Sequence, residues 1–281
     1  ARKTGLLDAS LTTLNTATTL TAITGDAYDY ALRSYFGRLN YGYKQRYLFE
    51  AVMRYDGSSR FAKSSRWGFF PSFSGGWRVS EEPFMREVNN YVDNLKLRAS
   101  WGKTGNNASG NYDYQATYNT TQYSFNGLAM SGLIQKKSAN PKLKWETTTT
   151  TNLGLSGSLL KRALNFELDL YQGLTEGILF VPTVPITVGT VAAATQNIAQ
   201  VTKKGAELML TYNGQLNKFR YSIAGNVAYN INRVTKYKGK LDEGYSTDEN
   251  GNSVYSSNLG SVSTGTTQRI LEGYRINDYY L

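Results

Sequence analysis

The chain has no histidine and no cysteine in its 281 residues. A Ser-His-Asp or Cys-His centre is therefore impossible, as are zinc sites built on those ligands and any disulfide scaffold. The lack of cysteine does not by itself place the chain in the cytosol or outside it. Proline is scarce, 5 residues against 27 glycines and 22 tyrosines. Tyrosine, glycine and threonine suit strands and turns, so the composition favours an all-β fold over a helical one. No apolar run approaches the roughly 20 residues of a membrane-spanning helix. Ala1 opens no signal peptide, because no charged start is followed by an apolar core. For a secreted or outer-membrane protein this carries the expectation that the start lies outside these residues.

The formal net charge of +10 invites a phosphate-binding reading. The Lys and Arg residues are spread at alternating strand positions and form no single patch, which fits a water-facing wall better than a nucleic-acid surface. No nucleic-acid partner is expected.

What is present is a period of two. In the stretch from Arg33 to Asp56, Tyr35, Leu39, Tyr41 and Tyr43 share one face, and Ser34, Arg38 and Asn40 the other. After Lys44 and Gln45, Tyr47, Phe49, Ala51, Met53 and Tyr55 oppose Arg46, Glu50 and Arg54. Such alternation makes a strand with one apolar and one polar face. The pattern returns at Arg66–Val79, at Asn94–Trp101 with Leu95, Leu97 and Trp101 against Lys96 and Arg98, at Trp145–Ser156, at Leu164–Leu170, at Gly205–Tyr212 and at Phe219–Ile231. Between these lie a polar loop at DGSSRFAKSSR, a short helix expected to be capped by Ser80 ahead of Glu81, Glu82 and Pro83, and a long loop from Thr104 to Leu143 with strand-like pieces near Tyr112–Tyr118. Further long connections are expected at Gly173–Gln200 and Lys236–Thr267. Gly5–Asp29 reads as loop with room for one strand, and RILEGYRINDYY as the start of one more.

Strands of about ten residues, connections alternating between short and long, and ions on the polar face together predict an antiparallel transmembrane β-barrel. Tyr43, Tyr47, Tyr212 and Phe219 sit beside short turns, where an interfacial aromatic girdle belongs. About nine strands are countable. An open edge in lipid would leave amides unpaired at several kcal/mol each, so the expectation is a partial set of strands from a larger barrel.

The strings SYFGRLNYGYKQRYLFEAVMRYDGSSRF, RWGFFPSFSGGWRVSEEPFM, NLKLRASWGKTGN, NPKLKWETTTTTNLGL and NIAQVTKKGAELML closely resemble the barrel of the SusC/RagA family of TonB-dependent outer-membrane transporters. The resemblance runs from about Ser34 to Val234, with EGYRIN beyond it. It implies a 22-stranded barrel with an N-terminal plug, TonB as the energy source, a SusD-like lipoprotein lid, and import of glycans or peptides across the outer membrane in Bacteroidetes. Residues 1–281 then form a partial barrel domain, with the plug, TonB box and terminal strands expected elsewhere. No substrate-binding residue carries over by motif. The competing readings are a passive porin and a soluble β-rich binding protein.

No catalytic, cofactor-binding or metal-ligating residue is assigned, and no cofactor is expected. Glu167 and Asp169 share a strand face as an acid–base pair would, but water-facing charges in a barrel wall need no further reason. WGKT lacks the earlier glycine of a phosphate loop and ends a strand. DENGN, residues 248–252, has oxygens at calcium-like spacing but Ser253 and Leu259 at positions where an EF-hand needs Gly and Glu. Tyr112, Tyr114, Tyr118, Tyr123 and Phe125 are read as loop aromatics that pack on each other, stack on sugars or meet a lid.

Overall fold

In a computed structural model of the chain, residues 27–88, 90–182 and 191–237 are described, with short pieces at 244–247, 253–256 and 275. The wall strands are β1 (Leu32–Tyr43), β2 (Tyr47–Ser58), β3 (Trp67–Arg78), β4 (Val92–Asn106), β7 (Glu146–Leu159), β8 (Leu164–Phe180), β9 (Gln196–Leu216) and β10 (Phe219–Tyr237). They form one eight-stranded sheet in the order β1-β2-β3-β4-β7-β8-β9-β10, every neighbour antiparallel. Two hairpins stand apart, β5 (Thr117–Phe125) with β6 (Leu128–Lys137), and β11 (Gly244–Thr247) with β12 (Ser253–Ser256). Among the described residues β1 and β10 do not pair with each other, so the sheet is open.

The wall thus has eight strands where about nine were counted, and they run from 12 to 21 residues instead of about ten. The extra length lies mainly at the long-loop end, where the ladder continues past the apolar band. The Thr104–Leu143 loop is largely ordered: β4 continues to Asn106, and the β5–β6 hairpin turns at Asn126 and Gly127, with φ of 51° and 76°. Asn-Gly is the strongest short-range hairpin signal, because both positions need φ > 0. Ser80 caps no α-helix. The connection is two 3-10 turns, Val79–Glu81 and Pro83–Val88, and the N-cap residue Arg78 makes no side-chain bond. Ser80 is buried within the first turn and donates its hydroxyl to Asn94 Oδ1 at 3.4 Å. The Gly173–Gln200 connection shrinks, because β8 runs to Phe180 and β9 begins at Gln196. Arg275 of RILEGYRINDYY forms an antiparallel bridge with Arg233; the rest of that segment and residues 5–26 lie outside the described residues.

The sheet has almost no interior. Among the described residues only Phe61, Phe70, Leu143, Trp145, Ala194, Ile198 and Val234 are buried apolar side chains, while Ile223 is 65% and Val227 64% exposed. A water-soluble sheet does not leave a continuous apolar face uncovered. Pairing places that face in register: Tyr47, Trp77, Leu97, Leu155, Leu168, Leu208 and Val227 form one row. The adjacent row on the opposite face reads Gly76, Arg98, Gly154, Asp169, Glu207 and Ala228.

The apolar band is oblique to these rows. On β2 it extends from Tyr47 to Tyr55 and on β9 from Tyr212 to Lys204, in each case roughly 26 Å along the strand at about 3.3 Å per residue. Yet Tyr47, at the band's edge, shares its row with Leu208 in mid-band, and Ala51, in mid-band, shares its row with Lys204 at the edge. The band therefore drifts by roughly one residue per strand. With strands about 4.8 Å apart, that drift equals a tilt of roughly 30°, close to the ~35–45° of closed barrels. The tilted band is roughly 22 Å high, against the ~25 Å apolar belt of outer-membrane barrels.

Aromatic residues mark both edges. Tyr43, Tyr47 and Trp77 cluster at the short-turn edge, with Tyr47 and Trp77 stacked at 6.5 Å, while Tyr35, Tyr55 and Trp67 stack at the other, the latter two at 4.8 Å. On β9 and β10, Tyr212, Tyr221 and Phe219 continue the lower edge.

Leu208 lies at mid-band and its neighbour Met209 on the opposite face. Leu208→Arg is expected to destabilise the protein in phospholipid vesicles by about 2–4 kcal/mol, whereas Met209→Arg is expected to cost well under half of that. Urea unfolding of both variants is the check, and equal losses would contradict a lipid-facing Leu208.

Candidate functional site

The polar face carries a set of ion pairs laid across the strands. Arg98 on β4 reaches over β7 to β8, donating to Glu167 Oε1 at 2.6 Å and to Asp169 Oδ2 at 3.0 Å. The crossing depends on Gly154 between them: a Cβ there would sit 2.6 Å from Asp169 Oδ1 and 3.0 Å from the Arg98 guanidinium. Arg38 pairs with Glu50 and Arg54 with Asp56 on the same face. Between these groups lies a recess of about 650 Å³, lined on its polar side by Asn40, Glu50, Ser74, Lys96, Ser100 and Asn152. Glu167 and Asp169 do share a face, and a single guanidinium holds both, tying β4 to β8 across β7. Partial exposure keeps such ties weak energetically; their effect is to leave hydroxyl, amide and paired ionic groups facing water.

At the long-loop end β3 and β4 part company. Their pairing stops at Ser72 and Gly102, beyond which β3 bonds only to β2 and β4 only to β7. An apolar cluster of Phe61, Phe70, Leu143 and Trp145 fills this seam, with Tyr114 and Leu179 against it. The Phe70 ring occupies the space above Gly105, where a Cβ would come within 2.1 Å. Trp145 packs on Phe61 and Phe70 with centroids 5.4 and 5.3 Å away and donates its indole N–H to Arg66 O at 2.9 Å. Phe70→Ala is expected to cost about 3–5 kcal/mol as a buried aromatic truncation, while Tyr123→Ala, on the exposed hairpin, is expected to cost less than about 0.5 kcal/mol. Thermal unfolding of the two variants checks this.

The loops above the seam are tied together by polar contacts. Asp113 accepts from Lys137 Nζ, from Thr195 Oγ1 at 3.0 Å and from the Gly110 N–H at 2.8 Å. Burial pushes the Asp113 carboxyl up, but these three donors outweigh it and hold the group below its ordinary value. Arg60 lies over the Tyr30 ring at 4.5 Å and donates to Asn107 O and Asn111 Oδ1. The loop aromatics divide. Tyr114 packs on the seam cluster and the Tyr112 hydroxyl accepts from the Asp29 N–H, whereas Tyr118, Tyr123 and Phe125 stand exposed on the β5–β6 hairpin. WGKT lies within β4. DENGN lies outside the described residues.

At the opposite end Glu82 organises the turns. Its carboxylate accepts from the Tyr47 hydroxyl at 2.6 Å, the Trp77 indole at 3.0 Å and Arg46 Nη1 at 3.3 Å. The bonds from Tyr47 and Trp77 hold it below the usual carboxylate range. A depressed carboxyl stabilises the fold above its unfolded pKa, and that contribution is lost as pH falls through the folded value. Glu82→Gln is therefore expected to lower the melting temperature at pH 7, with the gap to the unsubstituted protein closing as pH falls from about 5 towards 3.

Residues 4–279 match the family model described as the TonB-dependent receptor-like β-barrel. The chain belongs to that family. It is 36% identical over 256 residues to the TonB-dependent receptor SusC of Bacteroides thetaiotaomicron, a match covering 89% of this chain and 25% of that receptor. It is 34% identical over 226 residues to the TonB-dependent receptor P26 of Formosa agariphila, covering 80% and 23%. Among solved structures, that of the RagAB peptide transporter superposes with a TM-score of 0.70 at 28% identity, over 84% of this chain and 26% of that one. The chain thus spans about a quarter of the length of the curated receptors it matches. As a barrel of this family its place is the outer membrane of a Gram-negative bacterium, which agrees with the oblique apolar belt.

Sequence reading paired none of Arg98, Gly154, Glu82 or the seam cluster with its partners. Each depends on which strand lies beside which, and alternation within one strand does not carry that. The one available signal was Asn126-Gly127, which marks the hairpin.

Proposed function

We propose that the chain forms an arc of the wall of a TonB-dependent outer-membrane importer for nutrient oligomers, glycans or peptides, working with a SusD-like surface lipoprotein as lid. Residues 1–281 are read as one stretch of barrel domain; the plug on which TonB acts is assigned to none of its residues. The reading rests chiefly on one observation, a sheet whose outer face is an apolar belt tilted like a closed barrel's and whose inner face is polar and carries ion pairs. Similarity to SusC and to the RagAB peptide transporter supports the transport class and leaves glycan and peptide both open. The lumen-facing recess, with its amide and hydroxyl groups, suits a hydrated polar cargo, and the exposed aromatics of the β5–β6 hairpin suit contact with a lid or sugar rings. No enzymatic step, cofactor or nucleic-acid partner is part of this reading.

The test is uptake of labelled oligosaccharides and labelled peptides by cells with and without the receptor, repeated after loss of TonB. One cargo class is expected to be lost in both cases. Uptake undiminished without TonB would replace this reading with a passive porin.

A further inference from the structure

Cations stand on both faces of the wall. On the inner face, which borders water, Arg38, Arg54 and Arg98 each meet a carboxylate, while Arg78, Lys96 and Lys203 make no ion pair among the described residues. On the outer face Lys103 and Lys204 lie at the upper edge of the apolar belt, with Arg233 and Lys236 farther towards the long-loop end, and none of the four makes an ion pair among the described residues.

Their direction follows from the register. Lys103 shares a row with Thr149, Leu174, Thr202 and Arg233. This row lies on the face of the belt, one step beyond Thr151, Gln172, Lys204 and Ile231. Lys236 comes next, opposite Gln200, and reaches this face only because the ladder slips between Val234 and Lys236. Without that bulge, alternation would turn Lys236 inward. Lys103 and Lys236 line one recess of about 580 Å³ together with the belt-edge residues Trp67 and Phe69. The outward acid Glu176 lines the same recess and accepts from Gln200 Nε2 at 3.4 Å, leaving the cations in excess there.

We propose that Lys103, Lys204, Arg233 and Lys236 form a binding site for the phosphate groups of outer-leaflet lipids. An uncompensated ammonium at the edge of a hydrocarbon slab is stabilised by an anion held at the same depth, and lipid phosphates lie there. From β4 to β10 the site spans roughly 19 Å, four inter-strand spacings, wide enough for more than one phosphate. The Thr149 hydroxyl and the second amide N–H of Gln200 stand between the cations. The inference rests on the barrel reading above, since the outer face must border lipid.

The test uses the whole receptor in a non-ionic detergent, with diphosphoryl lipid A and its dephosphorylated form as probes, read by native mass spectrometry and by melting temperature. The phosphorylated lipid is expected to remain bound and to raise the melting temperature. The triple variant Lys103→Gln, Lys204→Gln, Lys236→Gln is expected to bind it roughly 100-fold more weakly, about fivefold per basic residue. The corresponding Lys→Arg triple is expected to retain binding, as is Lys203→Gln on the inner face. Heat-modifiable migration on gels confirms that each variant is folded. Equal binding of the dephosphorylated lipid, equal stabilisation by inorganic phosphate alone, or equal loss in the Lys→Arg triple would overturn the site. Quenching of tryptophan fluorescence by brominated acyl chains separates the two levels: quenching without phosphate discrimination rejects the headgroup site alone, and no quenching rejects the barrel.

Discussion

A peptide N–H in hydrocarbon has no water to turn to, and the wall is arranged around that constraint. Across the belt each strand bonds to its neighbours, except that β3 and β4 separate beyond Ser72 and Gly102 near the upper edge. The connections are of the simplest kind, each wall strand pairing with the next wall strand along the chain. The β5–β6 hairpin is not an exception, because it is excluded from the ladder and stands at the long-loop end, where water replaces lipid.

The second consequence is that one sheet serves two solvents. In a soluble protein the apolar face of such a sheet would fold against another layer; here nothing among the described residues covers it. Alternation supplies the two faces, and strand tilt decides where each face changes character. The belt follows the membrane plane and not the pairing rows, so residues directly opposite one another, such as Ala51 and Phe73 in mid-belt and Lys204 farther along the same row, occupy different depths. On the inner face some cations are paired and the unpaired Lys96 and Lys203 are screened by water, whereas the unpaired outer cations stand at or above the edge of hydrocarbon.

Rigidity at the two ends comes from different chemistry. The short-turn end is held by one carboxylate, Glu82, under two aromatic donors and an arginine. The long-loop end is held by an apolar plug in the seam between β3 and β4, with Asp113, Lys137 and Thr195 joining three loop segments above it. The plug is the nearest thing to a protein core here, and it lies where the ladder fails, since packing must replace lost backbone bonds.

Alternation along Tyr35–Tyr55, Leu95–Trp101 and Leu164–Leu170 was enough to establish strands, their two faces, the alternating connections and hence the barrel class, because a period of two is a local property of the extended chain. The β5–β6 hairpin was legible too, through Asn126-Gly127, although its exposed aromatics make the segment read as loop. Only the tertiary structure decided that Arg98 meets Glu167 and Asp169, that Phe70 and Trp145 close a seam, and that a bulge turns Lys236 outward. Those outcomes depend on register and shear between strands far apart in the chain, and a one-residue slip in either would exchange lipid for lumen at every position.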